Sequence, residues 1–285
     1  MFAILGILVV FGAVVGGYLM EKGHMAVLLQ PAELVIIGGA AVGTVLIANP
    51  PHILKAILGG IGTVFRGSGF NEQRYINSLK MLYDLFNRAR RDGLSAVESD
   101  IEDPEKSAII KDHHVRDFVC DTMRTASSGA LEPFDIDQMM ETDTEVHHHE
   151  AGKPVAALSS MADSLPGLGI VAAVLGVVIT MGALGGPPEE IGHKVAAALV
   201  GTFLGILLCY GLIGPIAASM AKTADDEHAY YHVLRVAMAA FVKGTPPILA
   251  VEVGRRAVPA HVRPNFSKLE QACRNKGAAP QAAAA

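Results

Sequence analysis

Four long uncharged runs, Met1 to Met20, Leu34 to Leu54, Leu165 to Pro188 and Val195 to Ala221, constrain this chain more than anything else in it. At about 1.5 Å of rise per residue, each reaches across the ~30 Å of hydrocarbon in a bilayer when coiled as a helix. The chain has 285 residues, of which 51% are hydrophobic, and the apolar excess is concentrated in those runs. The expected class is therefore an all-α, polytopic membrane protein with four transmembrane helices. The first run starts at the initiator Met without a basic n-region or an A-x-A-like cleavage site, which reads as a retained helix and not a signal peptide.

Four crossings place the N-terminus, the Lys55 to Ala162 insert and everything from Lys222 onward on one side. Of 23 Lys and Arg residues, 21 fall there, and Lys55, Arg66, Lys153 and Lys222 flank the spans against Lys22 and Lys194 opposite. The positive-inside rule makes the large side cytoplasmic. Residues 1–54 then hold spans 1 and 2, residues 55–162 a cytoplasmic helical domain, residues 163–221 spans 3 and 4, and residues 222–285 a cytoplasmic tail. The insert carries 12 basic and 18 acidic residues and the tail 9 basic and 5 acidic, so the two are expected to pack together. This balance gives no case for nucleic-acid binding. Cys120, Cys209 and Cys273 have no paired spacing, and neither a disulfide framework nor a zinc site is indicated.

Within the insert, Ile76, Leu79, Leu82, Tyr83, Phe86 and Ala89 recur at helical spacing until Asp92-Gly93, where Gly93 reads as a stop. An acidic turn, Glu98 to Pro104, precedes a second amphipathic pattern from Ile109 to Met123, and a third, Phe134 to His149, leads toward span 3. The tail continues span 4 with Tyr230, Leu234, Ala237, Met238 and Phe241 on one stripe. It breaks at Gly244-Thr-Pro-Pro247, with a last short helix expected over Val262 to Cys273. Gly277 to Ala285 is low-complexity and expected to be disordered. No segment alternates as a strand should.

An ion-translocating chain ordinarily holds an ionisable side chain at membrane depth. Glu33 and Asp163 lie at span ends, where N-cap or helix-dipole roles account for them. Either the chain moves no ions or a partner brings the carboxylate. Pro166 reads as a helix-start residue of span 3. Pro215 follows some twenty residues of span 4 and should kink that helix, at about the same cytoplasmic depth as Pro166, so that the two prolines suggest a hinge ring. Thr202 is the clearest polar side chain in the first half of span 4, its simplest partner being a backbone carbonyl. Glycines spaced by four (Gly12/Gly16, Gly39/Gly43, Gly201/Gly205), with Gly169 and Gly176, favour close helix packing. His147-His148-His149, with His113 and His114, reads as solvated surface and not as a metal set, and no nucleophile or phosphate loop points to an enzyme or a cofactor.

Gly17-Tyr-Leu-Met20, Gln30-Pro-Ala-Glu-Leu-Val-Ile-Ile-Gly38, Asp163-Ser-Leu-Pro-Gly-Leu-Gly-Ile-Val-Ala-Ala-Val-Leu-Gly-Val-Val178, Val200-Gly-Thr-Phe-Leu-Gly-Ile-Leu-Leu208 and Ala250-Val-Glu-Val-Gly-Arg-Arg256 together resemble the MotA family. These are the A subunits of the bacterial flagellar stator, within the MotA/TolQ/ExbB proton channel group. The resemblance runs from the first span to Arg263-Pro-Asn-Phe266. It implies an inner-membrane subunit that, with a MotB-like B subunit bearing the ion-binding aspartate, turns ion flow into torque on the rotor. It also implies a ring of five A subunits around two B subunits. By resemblance, Pro166 and Pro215 belong to conformational change, Thr202 lines the ion path, and Arg90 and Glu98 engage the rotor protein FliG. Sodium-type relatives usually place a threonine where this chain has Ala173, so the resemblance implies H+ in preference to Na+. The ExbB and TolQ group, which typically has three spans, is a rival reading, and a passive membrane scaffold is another.

Overall fold

The computed structural model describes residues 2–67, 69–93, 97, 113–182, 185 and 187–274. The helices are α1 (Phe2–Met20), α2 (Met25–Leu28), α3 (Pro31–Ala48), α4 (Pro51–Arg66), α5 (Glu72–Asp92), α6 (His113–Ser128) and α7 (Pro133–Met181). After them come α8 (Pro188–Leu208), a π-helical turn (Cys209–Ile213), α9 (Gly214–Val242), α10 (Pro247–Ala257) and α11 (Phe266–Arg274). No strand occurs among the described residues. Among the described residues, four helical stretches are long and apolar enough to cross a membrane, Phe2–Met20, Met25–Ala48, Pro133–Met181 and Pro188–Val242, and each overlaps one of the four runs. Gly277 to Ala285, expected to be disordered, lies outside the described residues, as do Ile109 and Ile110.

The chain divides into two compact units, one built from Met1–Gly67 with Glu150–Ala224 and the other from Ser68–His149 with Asp225–Ala285. In the first unit, the run Leu34 to Leu54 is not a single helix. A proline pushes the residue before it out of the helical region, and Asn49 (φ −129°, ψ 141°) accordingly ends α3. The Asn49 side chain also donates to the Val45 carbonyl at 2.9 Å. Pro51 then opens α4 at a position where a missing N–H costs little. Ile53, Ile57 and Val64 on one face of α4 pack with Leu158, Ile216, Ala217 and Met220. None of the residues of α1 is buried within this chain, which suits a helix facing lipid or another subunit.

The second unit has a conventional hydrophobic core. Asn71 caps α5 by accepting from the Arg74 backbone N–H at 3.0 Å, and Gly93 ends it with φ +88°, a left-handed conformation that glycine adopts freely. Leu79, Leu82, Leu85 and Phe86 of α5 pack with Val119 and Met123 of α6, Leu234 and Met238 of α9, and Val251 of α10. Phe86 stacks on Phe241 with centroids 4.2 Å apart, and the Ser78 and Tyr230 hydroxyls share a buried hydrogen bond of 2.5 Å. The opposite charges of insert and tail meet here. Arg235 reaches Asp137 and Glu141 at 3.0 Å each, Lys243 reaches Asp137 at 2.8 Å, and Lys268 reaches Glu72 at 2.9 Å.

Candidate functional site

In the first unit, α7 and α8 run antiparallel and touch along a glycine seam. A Cβ added to Gly205 would lie 2.5 Å from the Leu165 carbonyl oxygen and 2.9 Å from Gly169 Cα. One at Gly169 would lie 2.8 Å from the Gly201 carbonyl oxygen and 3.3 Å from Thr202 Cα, and one at Gly176 would lie 2.7 Å from Ala198 Cβ. Backbones this close leave room only for hydrogen at those positions. The remaining glycine pairs, Gly12/Gly16 and Gly39/Gly43, meet nothing within 4 Å in this chain, so of the pairs spaced by four only Gly201/Gly205 is closely packed.

Thr202 and Ala173 flank this seam, both partly exposed. Every other threonine in a described helix donates its hydroxyl to a carbonyl one turn back, among them Thr44 to Ala41, Thr63 to Gly60 and Thr180 to Gly176. Thr202, expected to do the same, makes no such bond, and its hydroxyl is left for another partner.

The two prolines sit differently from expectation. Pro166 does not start a helix: the amphipathic stretch from Pro133 runs into span 3 without a stop, and Pro166, like Pro154, is interior to the 49-residue α7. Its missing N–H deprives the Ala162 carbonyl of a helical partner. Pro215 is preceded by the π turn, whose Gly214 N–H bonds the Cys209 carbonyl five residues back. The wider turn accommodates the missing donor and the ring of Pro215 without ending the helix. A Cβ at Gly214 would meet that Cys209 carbonyl at 2.8 Å, so glycine fits the widened turn. Ala162 and Leu165 share a cluster with Cys209 and Ile213, which sets Pro166 level with the π turn and not with Pro215 itself.

Glu33 sits at the end of its span, as expected, but is more buried than an end position suggests. It lies in the first turn of α3, only 8% exposed, on a buried stripe with Ile37 and Ala41. Its Oε2 has no hydrogen-bond partner. That oxygen lies 2.7 Å from the position of a Cβ on Gly201, the residue before Thr202, while Ala172 Cβ and Ala173 N lie 3.1 and 3.2 Å from the same point. The N-cap of α3 is Gln30, with no side-chain cap bond, so capping does not account for Glu33. Asp163 is likewise no cap, being interior to α7 and exposed. The signal in the sequence was the i, i+4, i+8 spacing of Glu33, Ile37 and Ala41.

In the second unit, Arg90 is exposed in the last turn of α5, a place where a cation suits the helix dipole. Glu98 lies outside the described residues. The histidine run is not simply solvated: His147 Nε2 lies 3.2 Å from Glu227 and its ring 4.7 Å from that of Tyr231, while His148 packs on His228 at 4.4 Å. No group of three or more metal-ligating side chains is assembled among the described residues.

These features define a class: a multi-pass helical membrane subunit with a tight glycine seam, a free threonine hydroxyl beside it, and a separate polar unit. Residues 4–93 match the motility protein A N-terminal model and residues 110–232 the MotA/TolQ/ExbB proton channel family. The chain is 38% identical over 278 residues to motility protein A of Salmonella typhimurium, covering 95% of this chain and 94% of that protein. It is 39% identical over 278 residues to that of Escherichia coli, with the same coverage. Chemotaxis protein LafT of Vibrio parahaemolyticus is 35% identical over 94% of this chain and 96% of its own length. The fold is that of the C. jejuni MotAB structure (TM-score 0.77, 22% identity, 93% of this chain and 98% of that one). It is also that of the Bacillus subtilis flagellar MotAB stator complex (TM-score 0.73, 24% identity, 94% and 98%). The chain belongs to the motility protein A family.

Proposed function

We propose that this chain is the A subunit of a bacterial flagellar stator, which with a MotB-like B subunit forms a proton channel and converts proton flow into torque. The observation that carries this reading is the α7–α8 seam. It presents Thr202, with an uncommitted hydroxyl, beside Ala173, yet neither helix places a carboxylate there. Neither seam helix supplies an acid beside Thr202, and the aspartate of a B subunit is the acid this reading adds there. The membrane is the inner membrane, with the second unit and the flanking Lys and Arg in the cytoplasm. Five A subunits surround two B subunits. The exposed Arg90, with Glu98, engages FliG on the rotor.

Protonation of the B-subunit aspartate changes its attraction to the A ring and steps it. One charge crossing ~100 mV releases about 2.3 kcal/mol, which suffices to bias one packing state, so torque arises from many small steps. Ala173 supplies no hydroxyl where a sodium ion would need a ligand, and this supports H+ as the transported ion. The test is proton flux into energised vesicles holding this chain with and without an unplugged B-type partner. Flux only with both chains is expected. Flux from this chain alone, or from neither preparation, would overturn the reading, as would flux that follows sodium and not protons.

A further inference from the structure

The first unit has an opening near Glu33, at the end of α8 away from the Lys- and Arg-rich side. A cavity of about 480 Å³ is lined by Gln30, Glu189, Glu190, His193, Lys194 and Ala197. Lys194 is held by Glu190 at 2.9 Å, which leaves Glu189 and His193 as its other ionisable lining groups. His193, Ala197 and Gly201 are spaced by four and lie on one face of α8, so Gly201 is one turn, about 6 Å, deeper than the Ala197 wall. Gln30 and Glu33 have the matching relation on the facing segment, three residues apart. The Ala197 wall is therefore about one turn from Gly201, which lies beside the Glu33 carboxyl and is followed by Thr202.

A carboxylate left unpaired away from water is costly, and binding a proton removes the charge that makes it so. Besides Glu33 itself, the atoms nearest the Gly201 Cβ position are Ala172 Cβ and Ala173 N, neither a side-chain oxygen. A metal cation would lack the several oxygen ligands it requires, whereas a proton needs one carboxyl oxygen.

We propose that Glu33 is a proton-binding relay of the A subunit, loaded through the Gln30–Glu189–His193–Ala197 vestibule and delivering protons to the seam at Thr202. The relay rests on the stator reading above and adds to it an acid on this chain, upstream of the partner's aspartate. The proton moves without a change of oxidation state: the Glu33 carboxylate accepts H+ from vestibule water and returns it toward the seam.

The experiment uses the assembled complex of this chain with its unplugged B-type subunit in vesicles, comparing wild type, Glu33→Gln and Glu33→Asp. Glu33→Gln keeps the shape and cannot carry the proton; flux is expected to fall about tenfold or more, the loss of a positioned acid–base group. Glu33→Asp retains the carboxyl and is expected to recover part of the flux. Co-purification with the B subunit separates a lost relay from lost assembly. A second readout is infrared difference spectroscopy of wild-type complex on a shift of outside pH. A carboxylic-acid band that moves on 13C-glutamate labelling marks a glutamate of this kind and distinguishes it from the partner's aspartate. Wild-type flux in Glu33→Gln with its full dependence on outside pH, or a band insensitive to glutamate labelling, overturns the relay while leaving the stator reading intact. Absence of flux in the wild-type complex would instead overturn the stator reading itself.

Discussion

Gly205 is the tightest point of the seam, since a methyl group there would meet a carbonyl oxygen at 2.5 Å and a neighbouring Cα at 2.9 Å, both backbone atoms unable to swing aside. Gly205→Ala is therefore expected to destabilise the first unit by about 1–3 kcal/mol, the usual cost of overpacking, measured as earlier unfolding of the purified chain in detergent. Gly43→Ala, with nothing within 4 Å in this chain, should leave that unfolding unchanged, and any defect it causes in assembly would mark a contact with another subunit. In the second unit the Glu252 carboxyl is held below its ordinary value of 4.5, chiefly by hydrogen bonds from Arg255, at 2.6 and 2.8 Å, assisted by Arg256 and opposed by burial. A carboxyl depressed in the folded state contributes stability that is present above pH 4.5 and is lost as pH falls through its folded value. Acid unfolding of wild type and Glu252→Gln should converge in that range and separate above it, with wild type the more stable. Cys273 is pushed up to about 12, first by burial and then by Asp84, so it should resist alkylation at neutral pH in the folded chain and react once unfolded.

At the scale of elements, much was legible because it is punctuated. Gly93 and the Gly244-Thr-Pro-Pro247 break each mark a terminus through a local conformational demand, and the helices end where those residues require, whereas the Asn71 cap emerged only in the structure. The divided second span and the interior Pro166 were read less well. Hydropathy registers neither the backbone restriction imposed by Pro50 on Asn49 nor the uninterrupted helical pattern entering span 3 from Pro133. Glu33 was misjudged for a related reason: distance from a span end says little about burial when α3 meets α8 at a glycine. The π turn was not legible either, since a proline announces a lost hydrogen bond but not which register restores the rest. Restoring the N–H in Pro215→Ala allows ordinary helical bonding through Cys209–Ile213 and removes the reason for the wider turn. Slower amide exchange across residues 209–215 is expected, together with reduced torque if the π turn is the element that switches. Unchanged exchange would mean that Gly214 and its neighbours, and not the proline, impose the π register.

For the whole molecule, the division into two units assigns different tasks to different parts of one chain. The seam, Thr202 and Glu33 belong to the first unit, while Arg90 belongs to the second, exposed at the end of α5 and outside its hydrophobic core. An exposed ion pair contributes only about 0.2–1 kcal/mol, a strength suited to the rotor contact proposed for Arg90, which would form and release at every step. Arg90→Glu reverses the charge at an exposed position of α5, outside the core that Leu82, Leu85 and Phe86 form. The chain should therefore reach the membrane, assemble with its B subunit and conduct protons at the wild-type rate, while the torque measured on tethered cells falls. Loss of flux together with torque would mean that Arg90 supports the conducting assembly itself. Full torque after reversal would mean that the rotor is engaged through other residues of the second unit, and a compensating reversal on the rotor partner distinguishes a direct ionic contact from a lost fold, because only the former can be rescued in that way.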